Sequence, residues 1–197
     1  MATPPGLRER KKLQRRKLIE DTALELFARE GFDATTVETI AAACDIAPRT
    51  FFSYFATKDD LVLTDYADRL QRILDAFAAR PADEPAWEAL QRSFEAIAAD
   101  YESEADSLRA RFAIMATAPS VRARSLELQL GWEFALAERL AERADVADDT
   151  VARLLAGTAL AIMRGALRQW LTSGTDSHPP ELMRRGFSLA GNGFDHL

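Results

Sequence analysis

Residues 35–55, TTVETIAAACDIAPRTFFSYF, decide the fold of this 197-residue chain. The opening Thr-Thr-Val-Glu has the pattern of a capping box. In such a box the Thr35 hydroxyl accepts a hydrogen bond from an unpaired backbone amide of the first turn, and the Glu38 side chain accepts one from the backbone amide of the cap residue. The pattern therefore predicts that a helix begins there. Pro48 favours the start of a second helix, because its missing amide hydrogen costs nothing at the first helical position. This second helix is short and ends near Phe55. Two helices joined by so tight a turn form a helix-turn-helix.

The side chains of this segment fit a helix-turn-helix whose second helix lies in the major groove of DNA. Small residues must stand where the two helices cross, and Ala41, Ala42 and Cys44 meet that need. Phe51 and Phe55 stand four residues apart, so one helix face can hold both against the protein. The positions left to face DNA are Pro48, Arg49, Phe52 and Ser53.

Outside this segment, apolar residues recur at spacings of three and four, and the alternation typical of strands is absent. The chain is therefore predicted to be all-α, with about nine helices. Besides the two helices above, the predicted helices span about 8–30, 57–77, 87–101, 108–115, 120–144, 149–172 and 180–190. The run Thr57-Lys58-Asp59-Asp60 is predicted to cap the second of these. We expect two domains, with the helix-turn-helix and a basic N-terminal arm in residues 1–57 and a larger helical domain in residues 58–197.

The charge of the chain is divided unevenly along its length. Residues 1–58 hold 10 basic and 8 acidic side chains, whereas the remaining residues hold 15 basic and 23 acidic ones. Seven of the basic residues lie between Leu7 and Lys17. A polyanion such as DNA is attracted to that end and repelled by the other. The alternative is an ordinary solvated basic helix.

Several classes of protein are disfavoured by the composition. No segment approaches the roughly 20 uncharged apolar residues of a membrane span, and the basic N-terminus has no signal-peptide pattern. Cys44 is the single cysteine, so no internal disulfide can form and a cytoplasmic protein is expected. A small buried side chain is the preferred interpretation of Cys44, with a redox switch as the alternative.

Catalytic and metal-binding patterns are also missing from the sequence. His178 and His196 are the only histidines, and neither has a metal-ligating partner at a useful spacing. No glycine-rich phosphate loop and no G-x-S-x-G motif occurs. We therefore expect no enzyme activity, no cofactor and no metal.

Residues 18–63 closely resemble the N-terminal domain of TetR-family regulators. The similarity is carried by Gly31-Phe32, Thr35-Thr36-Val37, Ile40-Ala41 and the run Thr50-Phe51-Phe52-Ser53-Tyr54-Phe55 followed by Lys58. The rest of the chain resembles the family only in helix number and length. The resemblance implies a homodimeric DNA-binding transcription regulator, usually a repressor, that leaves a palindromic operator when a small molecule binds.

The resemblance also implies a role for each side chain that faces DNA. Thr36, Thr50, Tyr54 and Lys58 correspond to phosphate contacts, and Pro48, Arg49, Phe52 and Ser53 correspond to positions at base edges. Arg49 is the main candidate for base readout, since a guanidinium grips guanine with two hydrogen bonds worth about 1–3 kcal/mol. A phosphate contact is the alternative for Arg49. Phe52 replaces a tyrosine usual in the family, and it either touches a thymine methyl or packs in the core.

The basic arm precedes the helix-turn-helix and is expected to follow phosphates or to enter a minor groove. Its candidate DNA contacts are Arg8, Arg10, Lys11 and Lys12.

Two residues of the helix-turn-helix depart from the family pattern. Asp45 occupies the turn position where glycine is usual, and aspartate tolerates left-handed dihedral angles better than most residues. Ala47 replaces the serine or threonine that usually caps the second helix, a loss worth about 0.5–2 kcal/mol. Neither change is expected to remove DNA binding.

The two C-terminal helices correspond to the family's dimerisation helices, which pair with a second subunit as a four-helix bundle. Gly157, Ala161 and Gly165 form a ridge of small residues that allows another helix to approach closely. Packing of this ridge within the chain is the alternative. A twofold dimer of this kind presents its recognition helices to half-sites about 34–36 Å apart.

The helices between the two ends correspond to the ligand-binding region, and its aromatic content suggests a bulky apolar effector. The candidate pocket residues are Phe94, Tyr101, Phe112, Met115, Trp132, Phe134, Met163 and Trp170. Ordinary core packing is the alternative for each of them.

Residues 6–12 and 48–55 are similar to a subgroup of the family that is associated with mycofactocin clusters, which implies an acyl-CoA-like ligand. The phosphates of such a ligand would contact Arg109, Arg111, Arg122 and Arg124. The alternative is that these four arginines lie on a solvated helix surface.

In the expected mechanism, the ligand shifts the fourth helix through Leu63, Tyr66 and Leu70, so that the recognition helices no longer match the half-sites. Two alternatives remain open. One is a ligand-independent activator or architectural DNA-binding protein, and the other is a helical ligand-binding protein that does not touch DNA.

Overall fold

A computed structural model describes residues 6–172 and 178–192, and the regular secondary structure of this part of the chain consists of helices, as predicted. The helices are α1 (Leu7–Glu30), α2 (Val37–Ala43), α3 (Pro48–Phe51), α4 (Asp59–Val62), α5 (Tyr66–Ala78), α6 (Ala86–Tyr101), α7 (Ala105–Thr117), α8 (Pro119–Ala141), α9 (Asp149–Thr172) and α10 (Pro179–Asn192). His196 lies outside the described residues.

The fourth predicted helix is divided into α4 and α5, which raises the number of helical segments to ten in the described part of the chain. The helix begins as predicted, because the Thr57 hydroxyl accepts from the Asp60 amide at 3.2 Å and the Asp60 carboxylate accepts from the Thr57 amide at 3.0 Å. It ends early because the Arg111 guanidinium donates to the carbonyls of Leu61 and Val62. Those carbonyls would otherwise accept the next two helical hydrogen bonds.

The start of α2 differs by one residue from the predicted capping box. Thr36 is the N-cap, and its hydroxyl accepts from the Thr39 amide at 3.1 Å. The buried Thr35 hydroxyl instead donates to the Gly31 carbonyl at 2.8 Å. Thr35 therefore stabilises the turn after α1, and the predicted pairing of Thr35 with Glu38 is wrong.

The turn and the second helix of the helix-turn-helix follow the prediction in part. Asp45 adopts the expected left-handed conformation, with φ 51°. The second helix is shorter than predicted, since α3 ends at Phe51 and the chain continues in turns to Tyr54. In these turns the amides of Ser53 and Tyr54 donate to carbonyls three residues earlier.

The chain divides into two compact units. The first comprises the residues up to Thr64 together with Ala110–Ser125, and the second comprises Asp65–Arg109 and the residues from Leu126 onward. The unit that holds the helix-turn-helix thus extends past the predicted boundary at residue 57 and includes a segment from much later in the chain. Helices α7 and α8 each contribute residues to both units.

The second unit is a helical bundle in which α10 packs on α6 and α9. A Cβ atom on Gly186 would lie 2.5 Å from the Ile162 side chain, so α9 and α10 cross where only glycine fits. Trp87 and Phe94 both contact the ring of Phe187, with ring centroids 4.9 and 5.7 Å apart. The buried side chains of this bundle form one continuous core.

Helix α9 requires a correction to the expectation about membrane spans. Its length and a mean hydropathy of 1.3 over 18 residues are sufficient for a span by composition alone, with a third of that window buried. The same values occur in core helices of water-soluble proteins, and α9 contributes Ala152, Ala156, Leu160 and Met163 to the core. The apolar character of α9 therefore has an explanation in packing.

Candidate nucleic-acid interface

The side chains predicted to face DNA lie on one exposed surface of the first unit. Pro48, Arg49 and Ser53 are exposed, and Phe52 is 55% exposed with its ring edge-on to Phe51 at 5.4 Å. Core packing of Phe52 is thereby ruled out in this structure. An aromatic ring held in water without a polar atom is available to contact a thymine methyl.

Aromatic residues lie behind this surface, as the spacing predicted. Phe51 and Phe55 are buried, with ring centroids 5.6 Å apart. The Arg16 guanidinium lies 5.4 Å from the centroid of the Phe55 ring. Thr50 and Tyr54, the predicted phosphate contacts of this region, are half-buried beside these anchors.

Lys58 has structural contacts that the sequence did not suggest. Its ammonium donates to the Phe32 carbonyl at 2.7 Å and to the Thr35 carbonyl at 3.1 Å, and it lies 4.3 Å from the centroid of the Phe32 ring. Lys58 thus joins α4 to the turn between α1 and α2.

The basic N-terminal segment is helical from Leu7 onward and not an extended arm. A helix with side chains is about 10–12 Å wide, whereas the minor groove of DNA is about 6 Å wide. Helix α1 is therefore too wide to lie in a minor groove as an extended arm would, and only its side chains can reach into one. Binding along phosphates is compatible with the helix.

A cleft of about 710 Å³ lies between the start of α1 and the end of the helix-turn-helix. It is lined by Arg8, Glu9, Lys11, Lys12, Arg15, Ser53 and Tyr54. Four cations and two hydroxyl groups converge there against one carboxylate, which suits a phosphate backbone. Arg10 is exposed but does not line the cleft. The sequence predicted the arm and the Tyr54 region separately, and the structure brings them together.

Arg111 occupies a position different from the one predicted for it. The guanidinium is 6% exposed, forms an ion pair with Glu20 of α1, and donates to the carbonyls of Leu61 and Val62 at 2.9 and 2.7 Å. Thr64 donates to the same Glu20 carboxylate at 2.9 Å. Arg111 is thus committed to the first unit and is not available to a ligand's phosphates. Its spacing of three from the buried Leu108 was a signal that it lies on the inner face of α7.

The other three arginines proposed for ligand phosphates have surface positions. Arg109 lies over the Trp170 ring and binds the exposed Asp106. Arg122 is exposed, and Arg124 is 4.0 Å from Asp60.

Five of the candidate pocket residues, all in the second unit, are buried in its core. They are Phe94, Tyr101, Trp132, Met163 and Trp170. Phe112 and Met115 are half-buried in the segment that belongs to the first unit. Phe134 is 58% exposed, so its assignment to an internal pocket is wrong.

Tyr101 places a hydroxyl group among the buried candidate pocket residues. Burial raises the pKa of its hydroxyl, although the nearby Arg69 guanidinium opposes that rise. The hydroxyl therefore stays protonated and donates to the Met163 sulfur at 4.0 Å. Burial also opposes the charge of Arg69, but the carboxylates of Asp65 and Glu104 outweigh it and raise the Arg69 pKa. A charged group thus lies against the aromatic core, a feature that the sequence did not suggest.

Other residues of the same chain pack against only part of the ridge of small residues on α9. Gly157 is half-buried, and a Cβ atom there would lie 3.4 Å from the Glu133 carboxylate. Ala161 and Gly165 are exposed, and no atom lies within 4 Å of the position of a Cβ on Gly165. Intrachain packing therefore accounts for Gly157 but not for the other two.

The histidine within the described ranges does not belong to a metal site. His178 Nδ1 is 2.8 Å from Glu102 Oε1, and this hydrogen bond raises the His178 pKa. The described residues contain no group of three or more histidine, cysteine or acidic side chains that could hold a metal ion. Cys44 is buried, in agreement with its interpretation as a packing residue.

Comparison with known proteins gives matches along most of the chain. Residues 19–64 match the model of bacterial regulatory proteins of the tetR family, and residues 84–195 match that of the MftR C-terminal domain. The chain belongs to the TetR family. It is therefore a DNA-binding transcriptional regulator with an N-terminal helix-turn-helix domain and a C-terminal ligand-binding domain.

Two relatives extend this similarity over nearly the whole chain. The transcriptional regulator TcmR of Streptomyces glaucescens is 35% identical over 181 residues, which cover 87% of this chain and 80% of TcmR. The protein named as mycofactocin biosynthesis transcriptional regulator MftR, of Mycobacterium tuberculosis, is 31% identical over 183 residues, which cover 91% of this chain and 90% of MftR.

Among solved structures, FadR of Thermus thermophilus in complex with lauroyl-CoA has a TM-score of 0.56 to this chain. The two are 23% identical, and the match covers 88% of this chain and 92% of FadR. At that identity the likeness establishes the TetR fold. The sequence-based identification of the family and of the all-α fold is confirmed, and the alternative of a helical protein without DNA binding is set aside.

Proposed function

We propose that this regulator is a repressor that binds a palindromic operator as a homodimer and leaves it when an acyl-CoA-like ligand binds. The observation that carries the DNA-binding part is the common surface of Arg49, Phe52, Ser53 and the basic cleft. Base-reading and phosphate-binding side chains stand there side by side. The relatives are transcriptional regulators, and we assign no catalytic role to this chain. The site of action that follows is the cytoplasm, where bacterial DNA lies.

The roles of individual DNA contacts follow from their positions. Arg49 and Phe52 are exposed enough to reach base edges, with Pro48 and Ser53 beside them. Thr36 and Thr50, with the cleft residues Ser53 and Tyr54, are placed to contact phosphates.

Base readout by Arg49 is tested by selecting genomic DNA fragments that bind the purified protein. The wild-type protein is expected to enrich a palindrome, and Arg49→Ala is expected to bind it about 10- to 100-fold more weakly, as the loss of a bidentate guanine contact predicts. Arg29→Ala removes the same charge from an exposed arginine that pairs with Glu30, and it is the matched control. Equal enrichment of the palindrome by Arg49→Ala and the wild type would show that Arg49 does not read a base.

The proposed ligand class rests on the C-terminal half. Residues 84–195 match the MftR C-terminal domain, and a protein of the same fold, the FadR of Thermus thermophilus, has been solved with lauroyl-CoA. The second unit offers an aromatic core in which Tyr101, Trp132 and Trp170 are buried. A long acyl chain suits these surroundings, because its contacts with the aromatic side chains are as apolar as the contacts that those side chains make with one another.

Release by the ligand is tested by measuring operator affinity with and without lauroyl-CoA. Saturating lauroyl-CoA is expected to raise the operator Kd about 5- to 150-fold, the usual range of allosteric coupling. Coenzyme A alone and lauric acid alone are the controls for its two halves. An operator Kd that lauroyl-CoA leaves unchanged would favour the alternative of a ligand-independent activator or architectural protein.

The route from ligand to DNA that we propose runs through α7. This helix carries Arg109, in the second unit, and Arg111, in the first, only two residues apart. Arg111 binds α1 and the end of α4, the two elements that flank the helix-turn-helix. A shift of α7 would therefore move the base of the DNA-binding unit, a more direct route than a shift of one continuous fourth helix.

A further inference from the structure

Two of the four side chains predicted to face base edges, those of Pro48 and Phe52, consist only of carbon and hydrogen. They stand four positions apart, and the Phe52 amide donates to the Pro48 carbonyl at 3.3 Å. Residues at this spacing are neighbours on one face of a helical turn. Both are exposed, so together they form an apolar area on the DNA-facing surface, which we call the Pro48–Phe52 patch.

The ring of Phe52 is held in a defined position. Its backbone is helical, with φ −65° and ψ −11°, and its ring packs edge-on against the buried ring of Phe51. Phe51 is in turn packed against the buried Phe55. One side of the Phe52 ring is thus fixed to the protein, and the remainder of the ring projects into solvent. A contact between that part of the ring and DNA needs no rearrangement of the protein.

The polar side chains beside the patch have other roles. The Ser53 hydroxyl donates to the Thr50 carbonyl at 2.6 Å, so its proton is not available to a base. The Arg49 guanidinium has donors only, and the two acceptors of guanine match it best. Neither side chain responds to the apolar part of a pyrimidine, which is therefore left to the Pro48–Phe52 patch.

The apolar feature that a pyrimidine presents in the major groove is a methyl group on C5. Thymine carries this methyl, and unmodified cytosine carries a hydrogen atom there. Cytosine that is methylated at C5 presents the same methyl at the same place. A surface of carbon atoms forms no strong hydrogen bond, so it responds to the burial of the methyl and not to the neighbouring oxygen or amino group.

We propose that the Pro48–Phe52 patch reads the C5 methyl group of one operator pyrimidine in each half-site, so that 5-methylcytosine is accepted there as thymine is. The inference rests on the proposed function and deepens it, because it names a second base feature beside the guanine assigned to Arg49. Its consequence is regulatory. Methylation of a cytosine at this position turns a weak site for the regulator into a stronger one without any change of base sequence.

The proposal is tested first on the DNA, with the wild-type protein. In the operator obtained by genomic selection, each thymine is replaced in turn by deoxyuridine, symmetrically in both half-sites, which removes only the methyl. At one position the Kd is expected to rise about 15-fold, about fourfold for each of the two methyl groups. At that position 5-methylcytosine, paired with guanine, is expected to bind about 15-fold more tightly than cytosine. Unchanged Kd values for every deoxyuridine, or equal values for the two cytosines, would overturn the proposal.

The second measurement assigns the methyl effect to the patch. Phe52→Ala is expected to reduce both Kd ratios to about 1 and to leave the thermal midpoint unchanged, because most of the Phe52 ring is exposed. Leu18→Ala removes an exposed apolar side chain elsewhere in the first unit and is the matched control, expected to keep both ratios. Full methyl ratios in Phe52→Ala would overturn the proposal. The deoxyuridine measurement uses the wild-type protein, so it decides even if Phe52→Ala is unstable.

The result is separable from the proposed function. A wild-type protein that selects no operator would refute the proposed function and, with it, the reading of the methyl. A protein that selects an operator but binds the deoxyuridine forms equally well would refute only the reading of the methyl. The Phe52 ring would then contact DNA in a way that does not depend on C5, such as a wedge between base pairs.

Discussion

Replacing the four cleft cations Arg8, Lys11, Lys12 and Arg15 with glutamine is expected to weaken binding to DNA of any sequence by on the order of 1,000-fold near 0.1 M salt. Each phosphate contact contributes about −0.9 to the slope of log K against log salt concentration. If all four cations contact phosphate, the slope should become less steep by about 3.6. Specific and non-specific DNA should be affected alike, because phosphates carry no sequence information.

The measurement is a titration of operator and random duplexes at several salt concentrations. Arg10 supplies a matched control, since it lies on the same two turns of α1 but does not line the cleft. Arg10→Gln is expected to change the slope less than Lys11→Gln does. A quadruple variant with an unchanged slope would contradict the assignment of the cleft to the phosphate backbone.

Replacing Arg111 with alanine is expected to lower the free energy of unfolding by about 3–5 kcal/mol, because it leaves Glu20 part-buried without its cation. The carbonyls of Leu61 and Val62 lose their donor at the same time. For a chain of this size the thermal midpoint should fall by about 10 °C.

The comparison is with Arg109→Ala, made two residues away on the same helix. Arg109 is half-exposed and pairs with an exposed aspartate, so its loss is expected to cost no more than about 1 kcal/mol. Thermal unfolding of the two variants, followed by circular dichroism, distinguishes them. If both lose the same small amount of stability, Arg111 does not hold the first unit together.

Among folded molecules at low temperature, Arg111→Ala should also respond less to lauroyl-CoA, since α7 has lost its link to α1.

Features that depend on neighbouring residues were predictable from the sequence. The left-handed turn at Asp45, the capping box at Thr57 and the anchors Phe51 and Phe55 each involve groups within a few positions of one another. Their energies are local, so residue type and spacing are sufficient to predict them. The error of one residue at Thr35 arose because a second local acceptor, the Gly31 carbonyl, competes for the same hydroxyl.

Features that depend on distant residues were not predictable in the same way. Arg111 and Glu20 are 91 positions apart, so no spacing rule connects them. The sequence predicted Lys58 as a phosphate contact, but it did not predict the hydrogen bonds of Lys58 to the carbonyls of Phe32 and Thr35. In both cases a cationic side chain with several hydrogen-bond donors binds acceptors that are distant in sequence, and only the fold brings those acceptors within reach.

The sequence by itself determined the all-α class, the helix-turn-helix and the exposure of Pro48, Arg49 and Ser53, because helix periodicity, turn chemistry and charge are properties of short segments. Only the tertiary structure decided which apolar residues are core and which are surface. Trp132 and Phe134 lie two positions apart on one widely apolar helix, yet the first is buried and the second is exposed. A hydrophobic stripe in the sequence indicates side chains that are shielded from water. It does not indicate whether the same chain or a second chain covers them.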